Sequence, residues 1–370
     1  MLKNLHLQNF RNYKKTTFNF DKSVIIIGPN TSGKSNLIES IFLLSNGKSF
    51  RAEKDSQMVR FGNELGRVRA RLLTSERSDG GQGQISNIDL EVVVTVGEVA
   101  GVRTQFKRFF VNGVAKRRQD FVGNLPAVLF SPQDLEIIVG SPGLRRDFLD
   151  NVLEQTDRDY RVSLLGFTKA LRQRNALLEL VKNGLRPGGP LARRDREFEY
   201  WDSLVIRNGQ ALTSKREQFI DRLNEAKKEI LDFKLEYDRS VISYERLEQY
   251  HEAERATGVT LVGPHRDDFI VYFNKNHDLR SFGSRGQQRL GVLQLKLLEL
   301  EYVRGRVENE PILLLDDVFS ELDEDHIIHI LEKVGGQQTI ITTTHEEFIP
   351  AKVKRTMEII ELNARSLSSG

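Results

Sequence analysis

The chain has 370 residues, of which 39% are hydrophobic and 29% are charged, and its formal net charge is only +3. It contains no cysteine, which excludes disulfides and thiolate zinc sites and fits the cytoplasm. No apolar run approaches the roughly 20 residues of a membrane span, and residues 1–10 alternate instead of forming a signal-peptide core, so we expect no membrane partner. The length favours two lobes, or one domain with an insertion.

The first motif is Gly28–Asn36, which reads Gly-Pro-Asn-Thr-Ser-Gly-Lys-Ser-Asn and matches the phosphate-loop pattern G-x-x-x-x-G-K-[ST]. The apolar run Val24–Ile27 before it predicts a buried strand, and apolar residues at helical spacing follow it from Leu37 to Leu44. The loop therefore joins a strand to a helix N-terminus, where free backbone N–H groups favour phosphate.

The residue types in this loop predict how it would hold a nucleoside triphosphate with Mg²⁺. Gly33 allows the backbone to approach the phosphates, Lys34 would reach the β- and γ-phosphates, and the Ser35 hydroxyl would ligate Mg²⁺. The residues expected to contact the nucleotide are Gly28, Asn30, Thr31, Ser32, Gly33, Lys34, Ser35 and Asn36.

Strand patterns dominate the rest of the N-terminal part. Residues 2–10 predict a strand that turns at Arg11-Asn12-Tyr13 into a second strand ending near Phe20. The run Ile88–Val96 alternates, and Phe106–Val111 leads into Asn112-Gly113, a strong hairpin signal. We therefore expect an antiparallel sheet beside the nucleotide-binding strand.

Helical patterning with dense charge begins near Ser141 and continues to about Tyr250, and strand patterns return at Val259–Val262 and Phe269–Phe273. We therefore divide the chain into an N-terminal part, residues 1–140, an all-helical insertion, residues 141–251, and a C-terminal part, residues 252–370.

Two carboxylates, Asp316 and Asp317, end the apolar run that starts at Pro311. Beside a phosphate loop, such a strand predicts that Asp316 holds Mg²⁺ and that Asp317 orients and deprotonates the attacking water. His345 follows the apolar strand Thr339–Thr342 and would donate to the γ-phosphate or to that water.

A second anion site is predicted where the turn Phe282–Gln288 opens a helix. Because one chain does not need two γ-phosphate sites, we expect this one to act on the nucleotide of another subunit.

Together these motifs resemble the ABC-type ATPase superfamily, in its SMC-like branch, and most closely the RecF family. The resemblance also covers Leu7–Tyr13, Gly263–Asp268 and Leu313–Asp323, and so nearly the whole chain. It implies an α/β ABC-type ATPase head, built from a parallel phosphate-loop sheet and an antiparallel lobe, with an inserted all-helical lid. The phosphate loop departs mildly from the family pattern, with Thr31 in place of Gly and Ser35 in place of Thr.

Several roles rest on the resemblance alone. It implies that Ser284, Gly286 and Gln287 belong to the signature motif and that His345 is the switch histidine. It also implies that Asp323 belongs to the D-loop Ser320–Asp323, and that Gln133 is the Q-loop residue near Mg²⁺. Arg11, Phe50 and Arg51 would lie near the ribose and base.

The activity implied is slow, DNA-stimulated hydrolysis of Mg-ATP that gates a head-to-tail homodimer. Lys34 and Ser35 of one subunit and Ser284 and Gly286 of the other would bind one ATP. The implied partners are double-stranded DNA, gaps and single-strand/double-strand junctions, with the mediator proteins RecR and RecO and, indirectly, the RecA recombinase.

The alternatives are an SMC-type or double-strand-break-repair ATPase head, a transporter nucleotide-binding subunit, or a nucleotide sensor with negligible hydrolysis. The first needs a long coiled coil, whereas residues 141–251 lack heptads. The basic groups considered as DNA contacts are Lys116–Arg118, Arg145-Arg146, Arg172 with Arg174, Arg193-Arg194 with Arg196, and Lys227-Lys228.

Overall fold

The computed structural model describes residues 1–76, 84–184, 191–274, 276–318, 336–355 and 357–362. The chain forms two compact units, one of residues 1–134 with 299–370 and the other of residues 135–298. Within the described ranges, no helix combines the length and apolarity that crossing a bilayer requires.

The strands, in chain order, are β1 (Leu2–Phe10), β2 (Tyr13–Asn19), β3 (Val24–Ile27), β4 (Leu65–Glu76), β5 (Gln84–Thr95), β6 (Glu98–Val99), β7 (Val102–Arg103), β8 (Lys107–Val111), β9 (Val114–Lys116), β10 (Ala127–Phe130), β11 (Phe233–Asp238), β12 (Asp268–Phe273), β13 (His277–Asp278), β14 (Ile312–Asp316), β15 (Thr339–Thr343) and β16 (Glu358–Glu361).

The helices are α1 (Lys34–Asn46), α2 (Arg118–Phe121), α3 (Leu135–Val139), α4 (Pro142–Thr156), α5 (Arg158–Lys182), α6 (Leu191–Glu225), α7 (Tyr244–Thr257), α8 (Leu279–Phe282), α9 (Arg285–Arg304) and α10 (Ala351–Lys354).

The first unit contains an antiparallel sheet in the order β2-β1-β4-β5-β8-β9. The predicted turns are confirmed: Phe10 pairs with Tyr13, and Val111 pairs with Val114 across Asn112-Gly113. Asn112 and Gly113 have φ of 50° and 75°, as a two-residue hairpin of matching twist requires.

A parallel sheet in the order β10-β14-β15-β3-β16 completes this unit. The inner strands are short and buried almost throughout, which is the pattern of a parallel sheet covered on both faces. Helix α1 contacts strands of both sheets, and one hydrophobic core links its apolar residues to the two sheets. The predicted class, a parallel phosphate-loop sheet with an antiparallel lobe, is confirmed.

The second unit combines helices α3 to α8 and the first part of α9 with the antiparallel sheet β11-β12-β13. The prediction of an all-helical insertion is therefore wrong at Phe233–Asp238. Phe233 and Leu235 are buried while Lys234 and Glu236 are exposed, a period of two that dense charge obscured in the sequence. The predicted strand at Val259–Val262 is also wrong, because these residues join no ladder. The unit extends beyond the predicted 251, to 298, because β11 pairs with β12. It starts at 135 instead of 141 because α3 contacts α4 and α8.

The motif Gly263–Asp268 lies in this unit, at the centre of a buried ionic network. Asp267 is fully buried and accepts hydrogen bonds from Arg216 Nη1 at 3.1 Å, from the Ser240 amide at 2.8 Å and from the Tyr237 hydroxyl. Arg216 also donates to Asp150 at 2.7 Å. The network joins α4, α6 and β11 through charged groups that are mostly buried, and charges removed from water need partners of opposite sign.

We expect Asp267→Asn to destabilise the second unit by about 3–5 kcal/mol, because it leaves the Arg216 guanidinium short of one buried negative charge. Urea unfolding followed by circular dichroism measures the loss. ATP affinity measured on the folded variant should stay within about twofold of wild type. A large loss of ATP affinity at full stability would instead show that this motif belongs to the nucleotide site.

Candidate nucleotide-binding site

Four of the predicted segments follow strands of the parallel sheet. The phosphate loop follows β3, Asp316 and Asp317 lie at the end of β14, His345 follows β15, and Gln133 follows β10. Phe130 pairs with Leu315, Asp316 with Thr342, and Thr343 with Ile27, so the strands end level with one another. Their carboxyl ends therefore place these segments along one edge of the sheet, where α/β proteins bind ligands.

The phosphate loop has a backbone that only small residues allow at two positions. Gly33 has φ of +95°, and a Cβ there would lie 2.9 Å from the Tyr13 hydroxyl, which donates to the Gly33 carbonyl at 3.0 Å. A Cβ at Gly28 would lie 2.7 Å from the Leu362 carbonyl oxygen and from Ser32 Oγ. Thr31 is also left-handed, with φ of +72°. Left-handed residues in such a loop turn successive N–H groups inward and create a concavity for anions.

Lys34 lies folded against this loop. Its ammonium group is buried and donates to the carbonyls of Gly28 at 2.7 Å and Pro29 at 3.0 Å. Burial lowers the pKa of Lys34 from its ordinary value, and the charges of Asp317 and Asp316 oppose that shift. Lys34 and the two carboxylates therefore interact within one electrostatic cluster.

A hydroxyl and a carboxylate meet where Mg²⁺ was predicted. Ser35 Oγ donates to Asp316 Oδ1 at 3.0 Å, and Thr342 Oγ1 donates to the same oxygen at 2.7 Å. Mg²⁺ prefers hard oxygen ligands and uses only one or two from the protein. The donor set of Ser35 and Asp316 therefore fits Mg²⁺, and the hydroxyl of Thr342 orients the carboxylate from behind.

Asp317 adopts a left-handed conformation, with φ of +54°. Its amide donates to the Thr342 carbonyl and to Thr342 Oγ1, both at 3.1 Å. Asp and Asn tolerate this conformation better than most side chains. The turn fixes the carboxylate just beyond the end of β14.

The loop also contains a buried hydroxyl whose polar atom fits a phosphate group. The Ser32 side chain is fully buried, and its Oγ makes no hydrogen bond to any residue within the described ranges. A buried polar atom without a partner costs about 1–3 kcal/mol, which a phosphate oxygen in hydrogen-bonding reach would offset. Together with the Lys34 ammonium and the Ser35–Asp316 pair, this atom supports a triphosphate site.

Beside the loop, one buried carboxylate holds both arginines that were expected near the ribose and base. Glu39, on α1, is fully buried and accepts from Arg11 Nη2 at 2.6 Å, Arg11 Nε at 2.8 Å and Arg51 Nη2 at 2.7 Å. Ser49 Oγ donates to the same carboxylate, and Arg51 also donates to Asn36. Two guanidinium groups on one carboxylate leave a net positive charge beside the first turn of α1.

The pKa of Glu39 is lowered from its ordinary 4.5: burial acts to raise it, but hydrogen bonds from Arg11, Ser49 and Arg51 together outweigh burial. A lowered carboxyl pKa stabilises the fold above pH 4.5, and that contribution is lost as pH falls through the lower folded pKa. We expect Glu39→Gln to lose about 2–3 kcal/mol at pH 7, since the arginines are partly exposed. The deficit should shrink below pH 4.5 in unfolding curves, and a deficit independent of pH would contradict the role given to Glu39.

The segment that was predicted to be the signature motif lies in the second unit, at the start of α9. The Ser284 amide donates to Gln287 Oε1 at 2.8 Å, and the Gln287 amide donates to Ser284 Oγ at 3.3 Å. These reciprocal bonds form a capping box. Ser284 and Gly286 are exposed, so the N-terminus of a 20-residue helix is accessible from solvent. That accessible helix end is suited to an anion that comes from outside the chain.

His345, Gln133 and Asp323 were also predicted to belong to the site. The His345 side chain is 58% exposed, and its Nδ1 lies 3.4 Å from Glu347 Oε1. Gln133 is exposed in the turn Pro132–Asp134. Among the described residues, Ser35 and Thr342 donate hydrogen bonds to Asp316, and Gln133 does not. Asp323 and the rest of the predicted D-loop lie outside the described residues.

The sequence interpretation missed Glu39, Thr342 and the supporting role of Tyr13. Glu39 carries a signal, since it is a charged residue between Ile38 and Ile41 on the apolar face of α1. Buried carboxylates need cationic partners, so a buried Glu39 predicts that arginine or lysine side chains lie close to it. Thr342 and Tyr13 carry no such signal, because their contacts join residues far apart in the chain.

The structure also removes several basic groups from the predicted DNA contacts. Arg145 forms an ion pair with Asp268 at 2.6 Å. Arg174 forms ion pairs with Asp202 at 2.6 Å and with Glu254 at 2.7 Å. Both arginine side chains are buried. Arg118 donates to the Asn46 carbonyl at the end of α1. Arginines that are buried in ion pairs are not available to phosphates, so Arg145 and Arg174 are structural.

Comparisons with known proteins identify the family of the chain. The family model described as the RecF/RecN/SMC N-terminal domain matches residues 1–366. The DNA replication and repair protein RecF of Moorella thermoacetica is 36% identical over 98% of this chain and 94% of its own length. The protein of that name from Lachnospira eligens is 34% identical over 94% of each chain.

Solved structures give the same result. A structure described as the recombination mediator protein RecF with ATP in the RecFOR pathway has a TM-score of 0.81 and 32% identity, and covers 94% of this chain and 93% of its own. A second RecF structure, with an ATP analogue, has a TM-score of 0.82 and 31% identity, and covers 98% of this chain and 96% of its own. The Smc head domain of Pyrococcus furiosus shares the fold, with a TM-score of 0.51 at 15% identity. The chain therefore belongs to the RecF family of DNA replication and repair proteins, within the SMC-like ATPases.

Proposed function

We propose that this chain is an ATP-gated dimer that holds duplex DNA while ATP is bound and releases it on hydrolysis. The observation that carries the proposal is the pairing of two features. Lys34, Ser35 and Asp316 form a set of polar groups that fits a triphosphate with Mg²⁺, and a capped helix N-terminus is exposed at Ser284. In the dimer, each ATP would lie between these polar groups of one subunit and the Ser284 helix end of the other.

The positions of the described groups support the roles proposed for Lys34, Ser35, Asp316 and Asp317, whereas the roles of His345, Asp323 and Gln133 rest on the family resemblance. Lys34 and the backbone amides of the phosphate loop would bind the triphosphate, and Ser35 and Asp316 would hold Mg²⁺. When bound, Mg²⁺ neutralises the charge that develops on the phosphates. Asp317 orients the attacking water and takes its proton, and His345 donates to the γ-phosphate after the subunits close. Asp323 and Gln133 would complete the shell around the nucleotide.

Binding of ATP at the interface drives association by mass action. A ligand at 100 times its dissociation constant contributes about 2.7 kcal/mol to the state that binds it. Hydrolysis removes the γ-phosphate that both subunits share, and the dimer opens. The cycle therefore times how long the DNA is held, and a slow turnover stimulated by DNA suits that purpose.

Membership in the RecF family and the relatives described as recombination mediators support a place in DNA repair and replication. We propose that the chain acts in the cytoplasm at gaps and single-strand/double-strand junctions. Its partners there would be RecR and RecO, which help to load the RecA recombinase.

Fluorescence anisotropy of a labelled gapped duplex tests this function. With a slowly hydrolysed ATP analogue and Mg²⁺ we expect affinity at least tenfold tighter than with ADP, since only the triphosphate joins the subunits. Intact duplex and single strands of the same length are the comparison ligands. Equal affinity with the analogue and with ADP would contradict ATP gating.

A further inference from the structure

A cavity opens on the second unit between helices α5, α6 and α7. Its volume is about 480 Å³, which lies in the range of small-ligand sites. The residues that line it include Arg174 and Leu178 of α5, Phe198 and Asp202 of α6, and Leu247 of α7. All residues that line the cavity belong to the second unit, and none of them was predicted to bind the nucleotide. The cavity is therefore a candidate site of its own.

A buried network of ion pairs fixes one wall of this cavity. The Arg174 guanidinium is buried and bonds Asp202 at 2.6 Å and Glu254 at 2.7 Å. It also donates to Thr260 Oγ1 at 2.9 Å. Asn175 Oδ1 accepts from the Thr260 amide at 2.8 Å and from the Thr260 hydroxyl at 2.6 Å. Because these bonds join α5, α6, α7 and the segment after α7, the wall is already formed in the folded unit, as it is in most ligand sites.

The charge around the cavity is predominantly negative. Four carboxylates and two arginines line it: Glu199, Asp202, Glu245, Glu248, Arg174 and Arg255. The fully buried Glu254, which pairs with Arg174, is a fifth carboxylate, so five negative charges against two positive charges leave an excess of three. The two carboxylates that bond Arg174 neutralise its guanidinium. The cavity therefore attracts cations and repels phosphates.

Several carboxylate oxygens at the cavity are available to a ligand. Among the described residues, neither Glu199 nor Glu248 forms an ion pair, and both side chains are exposed. Asp202 accepts from Arg174 through Oδ1, and in the same part of the chain its Oδ2 accepts no hydrogen bond. A ligand that carries several N–H donors on one positive charge would satisfy these oxygens with charge-assisted hydrogen bonds.

The rest of the lining is apolar and suits a carbon chain. Leu178 and Leu247 are buried in the wall, and the rings of Phe198 and Tyr244 also line the cavity. Aromatic faces attract ammonium and guanidinium groups, and the methylenes of such side chains pack on apolar surface. A bare metal ion does not fit, because within the described ranges no three His, Asp or Glu side chains lie close enough to hold one.

We propose that this cavity binds an alkyl cation, which is a guanidinium or ammonium group at the end of a short aliphatic chain. The cation bonds Glu199, Asp202 and Glu248, and its chain packs against Leu178 and Leu247. Two sources carry this chemistry: an arginine or lysine side chain of a partner protein, and a free amine of the polyamine type. The site is additional to ATP-gated DNA binding, because it gives the second unit a ligand whose charge is opposite to that of ATP and DNA.

Calorimetric titration of the full chain tests the site with two probes. Agmatine represents a free alkyl cation, and a blocked Gly-Gly-Arg-Gly-Gly peptide represents a basic side chain on a protein. A ligand group of this size is expected to bind with a Kd of about 0.1–1 mM. The same peptide with citrulline in place of arginine has nearly the same shape and no charge. We expect it to bind at least about tenfold more weakly, because hydrogen bonds to charged groups are the stronger ones.

Two variants locate the binding. Glu199→Gln with Glu248→Gln should weaken both probes about 5–30-fold, since each removed carboxylate is a partly exposed ion-pair partner. Tyr244→Leu should weaken them about 2–5-fold through the loss of the aromatic face. Glu245 is left unchanged because it bonds Ser243, the N-cap residue of α7.

The matched control, Asp221→Asn with Glu236→Gln, removes two negative charges from exposed positions of the same unit that do not line the cavity. It should bind both probes like wild type, and ATP affinity should be unchanged in every variant. Tighter binding of the peptide would identify a protein side chain as the source, and tighter binding of agmatine would identify a free amine. The site is overturned if neither probe binds at about 10 mM, if the citrulline peptide binds as well as the arginine peptide, or if the Glu199 and Glu248 variant matches wild type.

Discussion

Asp317→Asn is expected to lower the rate of ATP hydrolysis by about 10²–10⁴-fold while ATP affinity stays within a few-fold of wild type. An amide cannot accept the proton of the attacking water, so the chemical step fails although the triphosphate contacts remain. Asn is the suitable replacement because position 317 has φ of +54°, which Asn tolerates, and because the hydrogen bonds that fix the turn come from its backbone amide. Phosphate release and equilibrium ATP binding are measured on the same preparation.

Asp316→Asn is the matched comparison, since it makes the same chemical change one residue away. It removes a charge from the oxygen that Ser35 and Thr342 bond, so we expect it to weaken Mg-ATP binding as well as hydrolysis. If Asp317→Asn hydrolyses ATP within tenfold of wild type, Asp317 is not the base. If the two variants lose ATP affinity equally, the separate roles assigned to the two carboxylates are wrong.

Ser284→Arg is expected to abolish ATP-dependent dimerisation and to lower hydrolysis at least 100-fold, with ATP affinity of the monomer unchanged. The substitution places a long side chain on an exposed helix end that would meet the nucleotide of the second subunit. It also removes a capping hydroxyl, which costs α9 only about 1 kcal/mol. Sedimentation with and without Mg-ATP measures the dimer, and titration with a fluorescent ATP analogue measures binding.

Ser284→Thr controls for the cap, because it keeps the hydroxyl and should retain both the dimer and hydrolysis. A monomeric Ser284→Arg protein that no longer binds ATP would place Ser284 in its own subunit's site. A dimer that persists in Ser284→Arg would show that the subunits associate elsewhere.

Much of the site was predictable because its signals are local. The phosphate loop, the acidic pair after an apolar strand and the Asn112-Gly113 hairpin each depend on a few consecutive residues. Parallel strands then place the ends of β3, β10, β14 and β15 along one edge, so strand order along the chain sufficed to group the candidate residues.

The parts that sequence reasoning missed depend on contacts between distant residues. The sequence alone suggested that Arg145 and Arg174 are surface charges. In the structure both are buried and form ion pairs with carboxylates that are 123 and 28 residues away in the chain. Glu39 accepts hydrogen bonds from Arg11, which precedes it in the chain, and from Arg51, which follows it. Burial and pairing of this kind follow from tertiary packing, which periodicity does not specify.

At position 31 the chain has a residue that differs from the one expected in a phosphate loop. The resemblance predicts Gly where this chain has Thr, and the structure gives the position φ of +72°. A β-branched residue is strained in that region, so the expected Gly has a conformational reason. Two residues further on, the Tyr13 hydroxyl donates to the Gly33 carbonyl at 3.0 Å and so holds the same loop.

The central claim is that ATP joins two copies of this chain. The most direct measurement is the solution mass of Asp317→Asn by light scattering, with Mg-ATP and without nucleotide, since this variant should keep the ATP that it binds. The account predicts the monomer mass without nucleotide and twice that mass with Mg-ATP. A monomer mass in saturating Mg-ATP, with ATP binding verified on the same sample, would contradict it.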